Sequence, residues 1–269
     1  MNLMQSVTIV DLSVTLAEPF PCSWPGHMPF AQSHWVQFTK QVPGTPATQL
    51  VSPYQTNYLI MDEHCGTHFD ASVHFIPPED SGLPFAGPLG NNTGENVGLK
   101  DLIGPAAVID VRFLCHSEET PGVSPMITRE HIISWESQHG TIQDKDIVLF
   151  HTGWDVHYKA GNEGHRYAQG PLISRDTPGW PAPEVDTVIY LYEKGVKTIG
   201  IDSPSLGATH NGVPVHQEGL RRGLIYIEGL AHLDQIPSRG AQFLFLPLKI
   251  AGATGCPGRA IAMLPQGEG

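Results

Sequence analysis

Glu63 to Phe75 reads EHCGTHFDASVHF, thirteen residues that hold three histidines and two acidic side chains. His64, His68, Asp70 and His74 follow one another at intervals of 4, 2 and 4 residues. All these intervals are even, so on an ideal strand the four side chains would face one side. On a helix His64 and His68 would share a face, but Asp70 would lie well round the cylinder. A straight strand does not suffice either: at about 3.3 Å per residue it holds His64 and His68 roughly 13 Å apart. Two imidazoles on one ion need their nitrogens within about 4 Å, given metal–nitrogen bonds near 2.1 Å. The stretch therefore predicts a turn at Cys65–Gly66–Thr67, permitted by Gly66, and then an extended segment carrying His68 and Asp70.

Two imidazole nitrogens and a carboxylate oxygen suit a divalent ion such as Zn²⁺ or Mn²⁺, with positions open for water and substrate. Such an ion lowers the pKa of water toward ~7 and polarises a carbonyl oxygen. His74, beyond that set, is a candidate for proton transfer. Cys65 sits at an odd interval and is expected to point away and pack. The alternative is a polar turn or a group of hydrogen-bonded core histidines. A second cluster lies in HNGVPVHQEGLRRGLIYIEGL, which contains His210, His216, Glu218 and Glu228. Glu228 closes the apolar run LIYI, where an inward carboxylate needs a metal or a protonated His as partner. The plainer reading is a solvated strand end.

The 269 residues are enough for one large α/β domain with its own core. The formal net charge is −12, which argues against a nucleic-acid or anionic-membrane surface. No apolar run reaches the roughly 18–20 residues of a membrane span. The opening MNLMQSVTIVDLSV has neither a basic n-region nor a small-residue cleavage site. Cys22, Cys65, Cys115 and Cys256 are scattered with no CxxC pair, so a reduced, cytoplasmic location is expected.

Strands are expected at Val7–Val14, Tyr54–Met61, Ala106–Val111, Ile147–His151, Thr198–Asp202, Leu224–Glu228 and Gln242–Leu246. One helix runs from a Thr128 cap through Gln138, with Gly140 past its end. Another starts at Pro183, buries Val185, Val188, Ile189 and Tyr192, and ends at Gly195. Tyr158–Pro183 reads as the longest irregular loop and a candidate lid. There is no internal repeat or linker, so residues 1–269 are expected to form a single domain.

The run His64-Cys-Gly-Thr-His68-Phe-Asp70, followed by His74-Phe75, resembles the HxGTHxDxxxHF signature of the cyclase family of metal-dependent hydrolases. That family includes kynurenine formamidases, isatin hydrolases and lactam-opening enzymes. The likeness extends from IVDLSV and WPG through GID to PLKIAGATGCPGRAIAM. It implies an α/β fold, a swivelling β/β/α domain with a mixed, barrel-like β core and few helices, assembled as a homodimer or homotetramer. It also implies that His64, His68 and Asp70 hold a catalytic divalent metal and that His74 is the acid–base residue. His216 and Glu228, twelve apart, match the second metal site of the formamidase branch, so one or two ions, Mn or Zn, are expected. Trp24 of SWPG would line the substrate pocket. His27 stands where the formamidase pattern has Asp, and Ser72 where it has Pro.

The activity so implied is hydrolysis of a non-peptide C–N bond in a small-molecule amide, either a cyclic amide of the isatin or lactam kind or an aryl formamide. A non-haem iron oxygenase is the rival, because His68, Asp70 and a distant His also make a two-His-one-carboxylate set. That site would need neither His64 nor His74, and the chain shows no clear Arg to clamp an oxo-acid co-substrate. A non-catalytic metal-binding module is the third reading.

Overall fold

The structure is a computed structural model that describes residues 7–38, 52–117 and 119–265. Its strands are β1 (Val7–Asp11), β2 (Ala31–Val36), β3 (Thr56–Ile60), β4 (His68–Asp70), β5 (Ile103–Asp110), β6 (Met126–Ile127), β7 (Ile147–His151), β8 (Ala182–Pro183), β9 (Thr198–Ile201), β10 (Ile225–Glu228), β11 (Gln242–Pro247) and β12 (Gly255–Pro265). Among the described residues three α-helices are interleaved with them: α1 (Arg129–His139), α2 (Val185–Glu193) and α3 (Val213–Leu220). Eight strands form one sheet in the order β1-β12-β11-β5-β7-β9-β10-β4. β4 also pairs with β12, which closes seven of them into a ring and leaves β1 outside. β5, β7, β9 and β10 run parallel, and the remaining pairings of the ring are antiparallel. This is the mixed, barrel-like α/β architecture the signature implied.

Alternation along the strands divides the core in two. Val108, Leu149, Ile227, Phe243 and Phe245 fill the ring. Ile109, Val148, Phe150, Ile201 and Tyr226 face outward and pack under Ile132 and Trp135 of α1 and Val188 and Leu191 of α2. The parallel strands are therefore buried on both faces, which is why IVLFH and TIGI read as continuous apolar runs.

Two helix readings need correction. α2 begins at Val185, not Pro183, because Pro183 belongs to the short β6–β8 pairing. Its buried residues are Thr187, Val188 and Leu191, and Tyr192 faces out beside Lys197 and Arg222. α3 was not expected, since Gly212 and Pro214 read as loop punctuation, yet Pro at the first turn of a helix is well tolerated. β2, β6, β8 and β12 were also missed. α1 starts after Thr128 and is followed by Gly140 as read.

The stretch 158–183 is not a free loop: it holds a 3-10 turn at Gly161–Gly164, a π-helical turn at Gly170–Ser174 and β8, with Tyr167, Ala168 and Trp180 buried against Trp154. The first six residues of the N-terminal stretch lie outside the described residues. Among the described residues no helix is long and apolar enough to cross a membrane.

Candidate active site

β4 is only three residues long, and its alternation sets the site. Phe69 points into the ring, so His68 and Asp70 point out of it. β10 lies alongside with Glu228 opposite His68 and Tyr226 opposite Asp70. Glu228 shares the outward face of Tyr226, and α3 packs over that face. Gly219 of α3 makes this possible, because a Cβ there would lie 1.7 Å from the Tyr226 hydroxyl. That hydroxyl donates to the Val215 carbonyl at 2.7 Å and holds the next residue, His216, over the strands.

Gly66 turns the chain with φ +64° and returns His64 to Asp70, Nδ1 to Oδ1 at 2.8 Å. The turn expected from the spacing is present. After β4 a short 3-10 turn, Ser72–His74, brings the His74 ring onto His64 with centroids 3.9 Å apart. Phe75 stacks on His216 at 4.5 Å. All five polar residues singled out as metal ligands therefore meet at one place, with His74 beside them. Donor atoms of His68, Asp70 and Glu228 lie within 4.8 Å of one another, as do those of His64, Asp70 and His74. Asp70 belongs to both groups. His74 is thus within ligand distance of the set it was read as lying beyond.

The hydrogen accounting shows what these groups lack. His68 Nδ1 donates to the Gly66 carbonyl at 2.9 Å, and His216 Nδ1 donates to the Gly212 carbonyl at 2.8 Å. In neutral imidazoles this leaves both Nε2 atoms as acceptors. They face carboxylate oxygens: His68 Nε2 is 3.6 Å from both Asp70 and Glu228, and His216 Nε2 is 3.2 Å from Glu228. Among the described residues every ion pair of Asp70 and Glu228 is with an imidazole, never with Lys or Arg. Buried acceptors facing acceptors are costly unless a cation lies among them, either a proton, which Glu228 and Asp70 draw onto His216, or a metal ion. The donor set fits a divalent metal.

A family model agrees: the Cyclase model matches residues 10–208, well over half of the chain. The chain belongs to the cyclase family. It is 32% identical over 217 residues to an isatin hydrolase of Roseibium aggregatum, covering 78% of this chain and 75% of that one. It is also 29% identical over 255 residues to a kynurenine formamidase of Geobacillus thermodenitrificans, covering 93% and 95%. A crystal structure of an isatin hydrolase bound to the product analogue thioisatinate superposes with a TM-score of 0.77 at 25% identity, over 98% of this chain and 94% of the other. The chain is an enzyme of this metal-dependent hydrolase family.

In this cyclase-family site the two carboxylates and four imidazoles tune one another. Burial would raise Asp70, but the charges of His74, His64 and His68 around it hold it well below the usual carboxylate range. Burial opposes protonation of His216 too, yet Glu228 and Asp70 pull it up to about 9. His74 goes the other way, down to about 4, through burial and the charges of His64 and His216. Glu228 is further held by the Leu206 N–H at 2.7 Å and the Ser205 hydroxyl at 3.1 Å.

The cluster opens into a cavity of about 330 Å³ walled by Trp24, Phe75, Leu172 and Val213. Trp24 lies on the cavity wall and packs edge-on against Trp180. His27 is at the same cavity and pairs with Asp62 at 2.7 Å. Cys65 packs with Cys22 and Phe30. His210 and Glu218 stand apart from the ligand cluster, the first accepting from Ser124 N–H and the second paired with Arg221 and Arg222. The sequence reading missed Ser205, Thr254 and Gly255; only pairing of distant strands brings them to the site.

Proposed function

We propose that this cyclase-family enzyme hydrolyses the C–N bond of a cyclic amide of the isatin or lactam kind, with Mn²⁺ or Zn²⁺ at one or two positions. The observation that carries the reading is the buried acceptor cluster at the base of an aromatic-walled cavity. His64, His68 and Asp70 would hold one ion; Asp70, His216 and Glu228 provide a second set, with His68 near both. When bound, the metal supplies Lewis-acid polarisation of the amide carbonyl and a water nucleophile active at neutral pH.

The chain does the rest. Trp24 and Phe75 present flat apolar walls to a planar ring and exclude bulk water. His74 lines the cavity, and with its pKa pushed down to about 4 it is neutral at physiological pH and would take the proton that the attacking water gives up. It then returns that proton to the departing nitrogen, which an amide requires because its anion is a very poor leaving group.

An aryl formamide is the second reading, supported by the kynurenine formamidase relative. Protein purified without added metal, analysed for bound ions and assayed against isatin, other lactams and N-formyl arylamines, decides between them. Metal-dependent opening of a lactam is expected. A metal-loaded enzyme inert toward isatin and the other lactams would overturn the proposal, and turnover of N-formyl arylamines alone would establish the second reading.

We further place the enzyme in the cytoplasm, in keeping with its four free cysteines. A homodimer or homotetramer is supported by the β2–β3 ribbon, where Trp35, Tyr58 and Ile60 are exposed and residues 28–38 and 52–61 carry no Asp, Glu, Lys or Arg. Light scattering on the purified protein tests the assembly, and a strictly monomeric protein would refute it.

A further inference from the structure

Glu63 immediately precedes His64 yet is a donor in neither ligand group. Its Oε2 accepts two hydrogen bonds from Thr254, one from the backbone N–H at 2.8 Å and one from the hydroxyl at 2.8 Å. A hydroxyl has a single hydrogen, and a carboxylate can only accept. Thr254 Oγ1 has therefore spent its hydrogen on Glu63 and is left as an acceptor. Its other partner is His64 Nε2 at 2.9 Å. That nitrogen must carry the hydrogen of the bond. In the neutral imidazole Nδ1 is then bare. It faces Asp70 Oδ1 at 2.8 Å, acceptor to acceptor.

We infer that Glu63 and Thr254 act together as positioning residues, locking His64 in the tautomer that presents its Nδ1 lone pair to the metal. His68 and His216 are set by backbone carbonyls, which fix their Nδ1–H and leave Nε2 for the ion. His64 is the exception: it is reached from the opposite ring edge, and its far nitrogen meets side chains. The lock joins two segments 190 residues apart. Its far end is rigid, because the Thr254 carbonyl accepts from Ala71 N–H at 2.9 Å, just beyond β4. Without the lock a neutral His64 would share its proton between both nitrogens, and Nδ1–H would donate to Asp70 in competition with the ion. Orienting partners of this kind are worth about 10- to 100-fold in metal affinity.

The inference rests on the reading that the His64–Asp70 edge holds a cation, so its test reads binding and protonation, not turnover. Metal-free protein is titrated with Co²⁺, followed by its visible spectrum, and with Zn²⁺ against a chromophoric chelator. Thr254→Val keeps the side-chain volume and the backbone bonds but removes the hydroxyl. It is expected to weaken binding about 10- to 100-fold while leaving the melting temperature of the metal-free protein unchanged. Thr254→Ser is expected to restore wild-type affinity, and Glu63→Ala to behave like Thr254→Val. Long-range nitrogen–proton NMR correlations of the Zn²⁺-loaded wild type should show His64 protonated at Nε2 and bare at Nδ1, a readout that needs no variant. Wild-type affinity in Thr254→Val, or a His64 protonated at Nδ1, would overturn the lock alone. Failure of the wild type to take up either ion would instead overturn the metal reading on which it stands.

Discussion

Gly255 is the position where one added methyl group tests the site geometry most directly. It lies opposite Asp70 in the β12–β4 register. A Cβ there would stand 2.3 Å from the Phe69 carbonyl oxygen and 2.5 Å from His64 Cε1. Neither neighbour is the end of a flexible chain: one is the backbone of β4, the other a ring held by Thr254 and stacked on His74. Relaxed contacts begin near 3.5 Å, so Gly255→Ala must push the strand or the ring away by roughly 1 Å. Overpacking of that kind costs about 1–3 kcal/mol. In a domain of this size that lowers the melting temperature by roughly 2–4 °C per kcal/mol. The site is more sensitive than the fold, since a displacement of about 1 Å in a reacting constellation costs on the order of a hundredfold in rate. Calorimetry, metal content by mass spectrometry and kcat/KM on the amide that the wild type opens give the three readouts. A folded Gly255→Ala protein with wild-type metal content and turnover would refute the claim that this glycine makes room for His64.

Asp70→Ala removes the one carboxylate common to both ligand groups and should abolish metal retention together with turnover; a variant that keeps a full complement of metal contradicts the shared role. His74→Ala should keep the metal and lose about 100-fold or more in kcat, and near wild-type turnover would remove His74 from proton transfer. Asp202 gives a pH test away from the metal cluster. Burial pushes its carboxyl up to about 7 although Thr152 hydrogen-bonds it. Its folded value exceeds the unfolded one, so its contribution is full below about pH 4 and lost as the pH rises through 7. Asp202→Asn keeps an acceptor for Thr152 and should lose less denaturation free energy than wild type between pH 4 and 8, by on the order of 4 kcal/mol; parallel pH profiles would refute it.

The part of the site that was legible in the sequence is the part condensed into a few residues. His64, His68, Asp70 and His74 could be related to one another because strand geometry and one glycine relate them, with no knowledge of the rest of the chain. Glu228 was legible for a different reason: a carboxylate ending an apolar strand is expensive, and the structure gives it two hydrogen bonds, from Ser205 and Leu206, beside the imidazoles of His68 and His216. Thr254 and Gly255 carried no such local sign. Each is ordinary in its own neighbourhood, and each gains its meaning from the pairing of β12 with β4. α3 was hidden in the same way, since Gly212, Pro214 and Gly219 look like breakers until Tyr226 is placed beneath Gly219.

The division between what was legible and what was not follows the chemistry of the site. Residues that would touch the ion must be His, Asp or Glu, so residue type alone narrows the search. Residues that orient those ligands need only a hydroxyl, a backbone carbonyl or an absent side chain, which nearly any loop provides. Glu63 stands on the boundary: an obvious acid inside the signature, yet its partner lies 191 residues away. Its carboxylate is turned toward Thr254, and on the reading proposed above it supports His64 instead of adding one more donor. Reading the signature by residue type alone would count it with the wrong set, and the bond from the Thr254 hydroxyl decides against that.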